Sequence, residues 1–408
     1  MAFFFSRDTK VFMEWSEDGT SNNMALYEIP VLDGFSFSQG TNTSEVTLSE
    51  AATSAGATKR GRAMFTDSFA PAEWSFGTYM RPTVSGSNAK YVSGDHADAG
   101  GHFAVEGPLW SAMSANTYDR ACAGDAFGDT AKQEFNFANS NNVTLGAFNM
   151  YFVLGAAKDT ATTEYLTGVD DVTVYKLANC SVGSASIDFD IEGIAQIGWA
   201  GNGQSIQELN TALNTAASGT TAKGLIREGV DTTSNFIRQK LTDLSISFDV
   251  SETTGTLGAL DSNSNADQAY AITLTGGNIT IENNLTYLTP ETLGQVNLPL
   301  GHVMGTRSVS GNFTCYLNDA ANSSLDLFER LQESRGVITN AFGLTFGIGG
   351  SGGTPRCNVQ VAKAHLELPS HSFEDVVSVD VAFHGLPGDL SATDATATNE
   401  VKVTYVGA

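Results

Sequence analysis

Residues 340 to 357, NAFGLTFGIGGSGGTPRC, hold the spacing G-x-G-x-x-G at Gly347, Gly349 and Gly352, directly after a strand-like run. In a dinucleotide-binding turn a helix opens right after the glycines, so that its free N–H groups and dipole face the pyrophosphate. Here Thr354, Pro355 and Arg356 lead into CNVQVAK, a second strand-like run, and the glycines read as a strand-to-strand turn. Two other groups have the residue types of a metal site. Asp95, His96, Asp98 and His102 crowd within SGDHADAGGHF, but spacing in a glycine-rich loop fixes no ligand geometry, and solvated loop residues are the plainer reading. Asp261, Asn263 and Asn265 open like a calcium loop, yet Ala266 stands where the sharp turn needs glycine and Ile272 where the bidentate glutamate belongs. With no G-x-S-x-G and no H-E-x-x-H, an enzyme is not expected, nor a cofactor or metal.

The elements around these groups are mostly strands. Leu244, Ile246, Phe248 and Val250 alternate with polar residues, as do Val377, Val379, Val381 and Phe383, and Ile187, Phe189 and Ile191. That period puts one side of each strand on a core. Gly276, Gly277 and Asn278 read as a hairpin turn between YAITLT and ITIE. A few helices are expected. SIQELNTAL pairs Ser205 with Glu208 as a capping box, SSLDLFERLQESR pairs Ser323 with Asp326, GPLWSAM has Pro108 at a first helical position, and SNFIRQKL follows a loop.

The chain also resembles itself. Residues 141 to 156 lie against 334 to 350, matching Phe148 to Phe342; 174 to 201 lie against 361 to 388, matching Lys176 to Lys363 and Gly198 to Gly385; 74 to 82 lie against 311 to 319. The pieces keep the same order, which is the signature of duplication. The expected fold is mainly β: two duplicated β-sandwich or barrel domains, 1–200 and 244–408, each with a flanking short helix, joined by a helical linker at 201–243.

Net charge excludes another class. Against 45 acidic residues there are 21 Lys and Arg, a formal charge of -24. Such a surface repels phosphate, so tight nucleic-acid binding is not expected, although DNA sliding past without sticking is compatible with it. The first residues, MAFFFSRDTKVFMEW, lack a basic n-region and a long apolar stretch, so a soluble chain without a signal peptide or membrane span is expected. Four scattered cysteines, without C-x-x-C, read as reduced and buried.

The stretch NNLTYLTPETLGQVNLPLGHVMGTRSVSGNFTCYLNDAANSSLDLF (283 to 328) resembles the tail tube proteins of long-tailed bacteriophages: an extended opening around T-P-E-T, an excursion ending at Gly305, Arg307 and Gly311, an aromatic strand and a short helix. GFSFSQGTNTSEVTLSEA and RGRAMFTDSFAPAEWSFGTYMRP are similar to the same elements. The resemblance implies a virion structural protein. Its fold, shared with the type VI secretion tube, sets six small β domains in a ring, and rings stack into the channel through which the genome leaves. It also implies partners: a sheath or tail terminator, a baseplate and a tape-measure protein, with assembly in the host cytoplasm. At double length, each subunit is expected to supply two of six ring positions, giving a trimeric pseudo-sixfold ring; a hexamer with one half outside is the alternative. Lys59, Arg60 and Arg62, with Arg307 in the second copy, are candidate ring-stacking residues. A surface adhesin or other virion decoration protein is the rival reading.

Overall fold

The computed structural model describes residues 4–16, 24–46, 63–84, 90–91, 102–114, 132–137, 145–155, 164–165, 172–209, 213–214, 225–227, 236–249, 267–290, 292–294, 296–333, 342–350, 356–373, 375–387 and 400–406. The first half holds β1 (Thr9–Ser16), β2 (Met24–Ile29), β3 (Ser36–Val46), β4 (Ala63–Tyr79), β5 (Pro82–Val84), β6 (Lys90–Tyr91), β7 (His102–Ala104), helix α1 (Gly107–Ser114), β8 (Lys132–Asn136), β9 (Phe148–Leu154), β10 (Glu164–Tyr165), β11 (Thr173–Phe189) and β12 (Gln196–Gly203). The connecting stretch holds β13 (Ser205–Glu208), β14 (Leu213–Asn214), β15 (Leu225–Arg227) and a 3-10 turn at Gln239–Leu241. The second half holds β16 (Asp243–Asp249), β17 (Asp267–Ile272), β18 (Leu274–Glu282), β19 (Leu285–Leu288), β20 (Gly301–Met304), β21 (Ser308–Tyr316), helix α2 (Ser324–Glu333), β22 (Phe342–Ile348), β23 (Arg356–Leu366), β24 (Ser370–Phe373), β25 (Val377–Leu386) and β26 (Lys402–Val406).

The chain is therefore mainly β, as its alternation requires. Leu244, Ile246 and Phe248, then Val379, Val381 and Phe383, then Ile187 and Phe189, are all buried. One continuous core takes in residues of both halves, among them Trp74, Trp110 and Trp199 from the first and Phe313, Phe346 and Phe383 from the second. Trp110 packs on Trp199 at 4.7 Å between ring centres. Its indole N–H donates to Tyr405 Oη at 2.9 Å, and that of Trp199 to Thr78 Oγ1 at 2.9 Å, so both rings are buried without stranding their donors. The halves also exchange a strand, since β8 of the first pairs with β26 of the second.

Both short helices fall where their caps place them. Pro108 lies in the first turn of α1. At α2, the Ser323 carbonyl accepts from Leu327 N, while Asp326 Oδ2 accepts from Asn322 N at 2.6 Å. The glycine run is a hairpin: Gly349 and Gly350 have φ of 102° and 89°, and β22 pairs back on β23 with Ile348 opposite Cys357. Cys180, Cys315 and Cys357 are free and buried; Cys122 lies outside the described residues.

Three readings need correction. The capping box at Ser205 and Glu208 is a strand: β13 pairs with Tyr175–Ala178 of β11, and Gln39 Oε1 accepts from Ile206 N. An open strand edge supplied ladder hydrogen bonds that local helix signals did not outweigh. Among the described residues of SNFIRQKL, 236–241, only Gln239–Leu241 turns, as 3-10. Gly276, Gly277 and Asn278 do not turn the chain but run inside β18. A Cβ on Gly277 would lie 2.5 Å from Asn312 O and 2.8 Å from the Phe189 ring, so glycine is present for close approach.

A buried carboxylate precedes α1. Glu106 Oε1 accepts from Tyr405 Oη and from Arg81 N, and burial raises its pKa to about 7 against the Tyr405 and Arg81 contributions that lower it. The folded state thus keeps a proton that the unfolded chain releases above about pH 4.5. Stability from this group is full below that pH and falls until about pH 7, a loss on the order of 3 kcal/mol. Glu106→Gln holds the same acceptor without titrating. The variant's Tm, relative to the parent, is expected to rise by a few degrees between pH 4.5 and 7.5 in thermal melts; a constant difference would contradict the assignment.

Candidate assembly site: joined sheets and a crossing hairpin

The two halves repeat one pattern of pairing. In the first, β1 pairs with β2 and β9, β9 with β11, β11 with β12, β12 with β4, and β4 with β3. In the second, β16 pairs with β17 and β22, β22 with β23, the β23–β24 run with β25, β25 with β21, and β21 with β18. Even the irregularities coincide. β9 meets a bulge between Leu177 and Cys180 of β11, and β22 meets one where Leu344 faces Val361 and Phe342 faces Ala364. Starting from Phe148 and Phe342, the ladders lead through Ile187 opposite Ile197 and His371 opposite Val379 to Ser75 opposite Ala200 and Asn312 opposite Ala382. Ser75 and Asn312 are the positions that the match of 74–82 with 311–319 pairs on sequence alone. The same route makes Gln360, not Lys363, the counterpart of Lys176, because bulges and loops shift the sequence match by three residues.

Between the halves the sheet does not stop. The end of β11 pairs antiparallel with β18, Ser184 opposite Glu282 through Phe189 opposite Gly277. One sheet therefore runs β3, β4, β12, β11, β18, β21, β25 and β24. Its inner face is the core. Its other face is small and polar, with Ser36, Ser75, Ser186, Thr280, Ser310 and Asn312 among the acidic groups Glu73, Asp188, Glu282 and Asp380. No lysine or arginine occurs where these strands pair with one another.

A hairpin from the second half crosses the joint. β19 pairs with β20, and Tyr287 Oη donates to Asn179 O at 3.1 Å and Asn202 O at 3.0 Å in the first half. Ser181 Oγ lies 3.2 Å from His302 Nδ1, and Phe69 N donates to Asn297 O at 2.9 Å. Toward its tip the hairpin exposes apolar side chains, Leu293 at 99% and Leu300 at 68%. The base is locked by a buried polar knot. Asn283 Nδ2 donates to Met113 O and Val182 O at 3.1 and 3.2 Å, and Asn283 Oδ1 accepts from Arg307 Nε at 3.1 Å. Arg307 faces Glu400 at 3.7 Å and stacks over Phe137 at 5.1 Å. Burial lowers the Arg307 pKa and raises that of Glu400, each opposed by the partner's charge.

Of the residues singled out in the sequence, Lys59, Arg60 and Arg62 lie outside the described residues, as do Asp95, His96, Asp98, Asp261, Asn263 and Asn265. His102 falls in β7. Arg307 is 5% exposed and is not presented for stacking on a neighbour; a lone cation in a polar loop gave no sign that Glu400 and Asn283 would enclose it. Asn283, the β8–β26 exchange and the crossing hairpin went unread in the sequence. Asn284, with φ of 47°, is a local mark of the hairpin's sharp entry.

No protein-family model matches the chain. It is, however, 28% identical over 398 residues to the tail tube protein pb6 of Escherichia phage T5, an alignment covering 97% of this chain and 75% of the relative. This likeness supports a phage tail tube protein. The β11–β18 joint, the crossing hairpin and the polar face are the features of the described residues that bear on assembly. None of the described helices is long and apolar enough to cross a membrane.

The knot is testable. Arg307→Met leaves Glu400 and Asn283 buried without their partner, and a loss of about 3–5 kcal/mol is expected. Adding Glu400→Gln should recover part of it, read as the coupling between the two variants in denaturant melts. Strictly additive losses would show that the pair does not interact.

Proposed function

We propose that the chain is a tail tube subunit whose two halves, 1–200 and 244–408, are duplicated tube domains occupying two of six positions in each ring, so that three copies close it. The observation that carries this reading is the repeated pairing pattern, bulges included, together with the edge-to-edge joint by which one half continues the sheet of the other. Sheet edges satisfied by neighbours around a closed ring leave none exposed. A hexamer with one half outside would give the two halves different surroundings, which their common pairing does not favour.

On this reading the polar, acidic face of the joined sheet lines the channel. Carboxylates without lysine or arginine repel phosphate and give DNA no site at which to pause. The tape-measure protein would occupy the channel before ejection. A sheath or terminator and a baseplate would meet the tube's outer surface and ends, as the family resemblance implies, with assembly in the host cytoplasm. The crossing hairpin, with its apolar tip, and the 49–73 segment containing Lys59, Arg60 and Arg62 are the elements we assign to ring stacking. No catalytic role is proposed.

Purified protein examined by negative-stain microscopy should show rings or tubes with a central hole, and a monomer persisting at high concentration would contradict the reading. In the same experiment, a chain lacking residues 54–62 is expected to give rings or short stacks; tubes of normal length would remove that segment from stacking. Replacing Glu73, Asp188 and Asp380 by Lys should make assembled tubes retain double-stranded DNA in a salt-dependent manner, which the parent does not. Retention unchanged in the variant would remove this face from the channel wall.

A further inference from the structure

The joint inside the chain has a counterpart that is left open. On β11, residues 186 to 189 have β12 on one edge and β18 on the other. The pairing pattern makes β24 the equivalent segment of the second half: Ser186, Ile187, Asp188 and Phe189 correspond to Ser370, His371, Ser372 and Phe373. β24 has β25 on one edge, and among the described residues nothing pairs with the other. The equivalent of β18 is β3, which pairs with β4 on one edge and with no described strand on the other. The two open edges are thus the two sides of the joint already made once within the chain.

We infer that β24 of one copy pairs antiparallel with β3 of the next, in the register of the β11–β18 joint. This rests on the tail tube reading and names the contact that closes its ring. Carrying the register across gives Ser370 opposite Ser38, His371 opposite Phe37, Ser372 opposite Ser36, and Phe373 opposite Phe35. Parity supports it: the serines of both strands fall on the polar face, and His371, Phe373, Phe35 and Phe37 fall on the core side. A one-residue slip would oppose the two faces. Burial supports it too. Phe189 is 4% exposed and packs on Phe346 at 5.7 Å, whereas its counterpart Phe373 is 79% exposed. On the other side, Phe35 and Phe37 already rest on Phe152, at 5.8 and 4.5 Å, and offer an aromatic edge for Phe373 to cover. Because the two edges are different surfaces, the contact is head-to-tail and propagates until a ring closes.

Cysteine pairs read this register directly. In a Cys122→Ser background, Ser372→Cys with Ser36→Cys, and Ser370→Cys with Ser38→Cys, place cysteines directly opposite, near disulfide reach; Ser372→Cys with Ser38→Cys places them diagonally, beyond it. After assembly and mild oxidation, non-reducing gels should show the two opposite pairs linked into dimers and trimers, with no larger species, and the diagonal pair several-fold less linked. Assembled rings that yield no links, or equal links for all three pairs, would overturn the register while leaving the tube reading standing. A linked single chain would show that the sheet closes on itself and would overturn the contact between copies. Failure of all variants and the parent to assemble would overturn both.

Discussion

A strand at the end of a sheet presents a row of backbone N–H and C=O groups, and a β protein must pair, cover or charge that row or aggregate through it. In this chain the end of β11 meets that requirement by pairing with β18, the end strand of the second half's β18, β21, β25 and β24 run. Most other features serve this joint. Gly277 lacks a side chain because Phe189 and the Asn312 carbonyl occupy the space beside it. Asn283, the next residue after β18, ties the hairpin base to α1 and β11, and Arg307 completes the knot from the link between β20 and β21. The exchange of β8 onto β26 fastens the halves on a second side.

Joining sheets this way has a geometric consequence. On the proposed reading, in which the two halves are equivalent, the ladder fixes one angle between them; repeating that angle would build a ring with a continuous face away from the core. That face is largely small and polar in both halves, with Glu73, Asp188, Glu282 and Asp380 among its serines and asparagines and with Tyr79, Tyr316 and His384 as its larger side chains. As the proposed channel wall, its carboxylates would repel phosphate, whereas folding alone lets solvent-facing positions take lysine as readily as glutamate. Its charge has the same sign as the net charge of the whole chain, which disfavours tight DNA binding.

Much of this was legible in the sequence and some was not, for local reasons. Period-two alternation located β11, β16 and β25, and the caps at Pro108, Ser323 and Asp326 located both helices, because these signals lie within a few residues of the structure they specify. The hairpin after β22 was legible because a second strand follows its glycines. What failed depended on distant partners. Ser205 and Glu208 look like a cap until β11 offers an open edge. Gly276 and Gly277 look like a turn until Phe189 arrives from the other half. Arg307 looks like a surface cation until Glu400, far along the chain, closes over it. The order of the pieces was visible in the sequence, while the register of the repeated pairing, with Gln360 in place of Lys363 as the counterpart of Lys176, needed the ladders.

The number of chains in one closed ring tests the account most directly. Native mass measurement on rings released from short tubes should find three copies, with micrographs of the same sample showing six similar lobes around the hole. Six copies per ring, with true sixfold density, would contradict the equivalence of the halves and the joint from which the ring is argued.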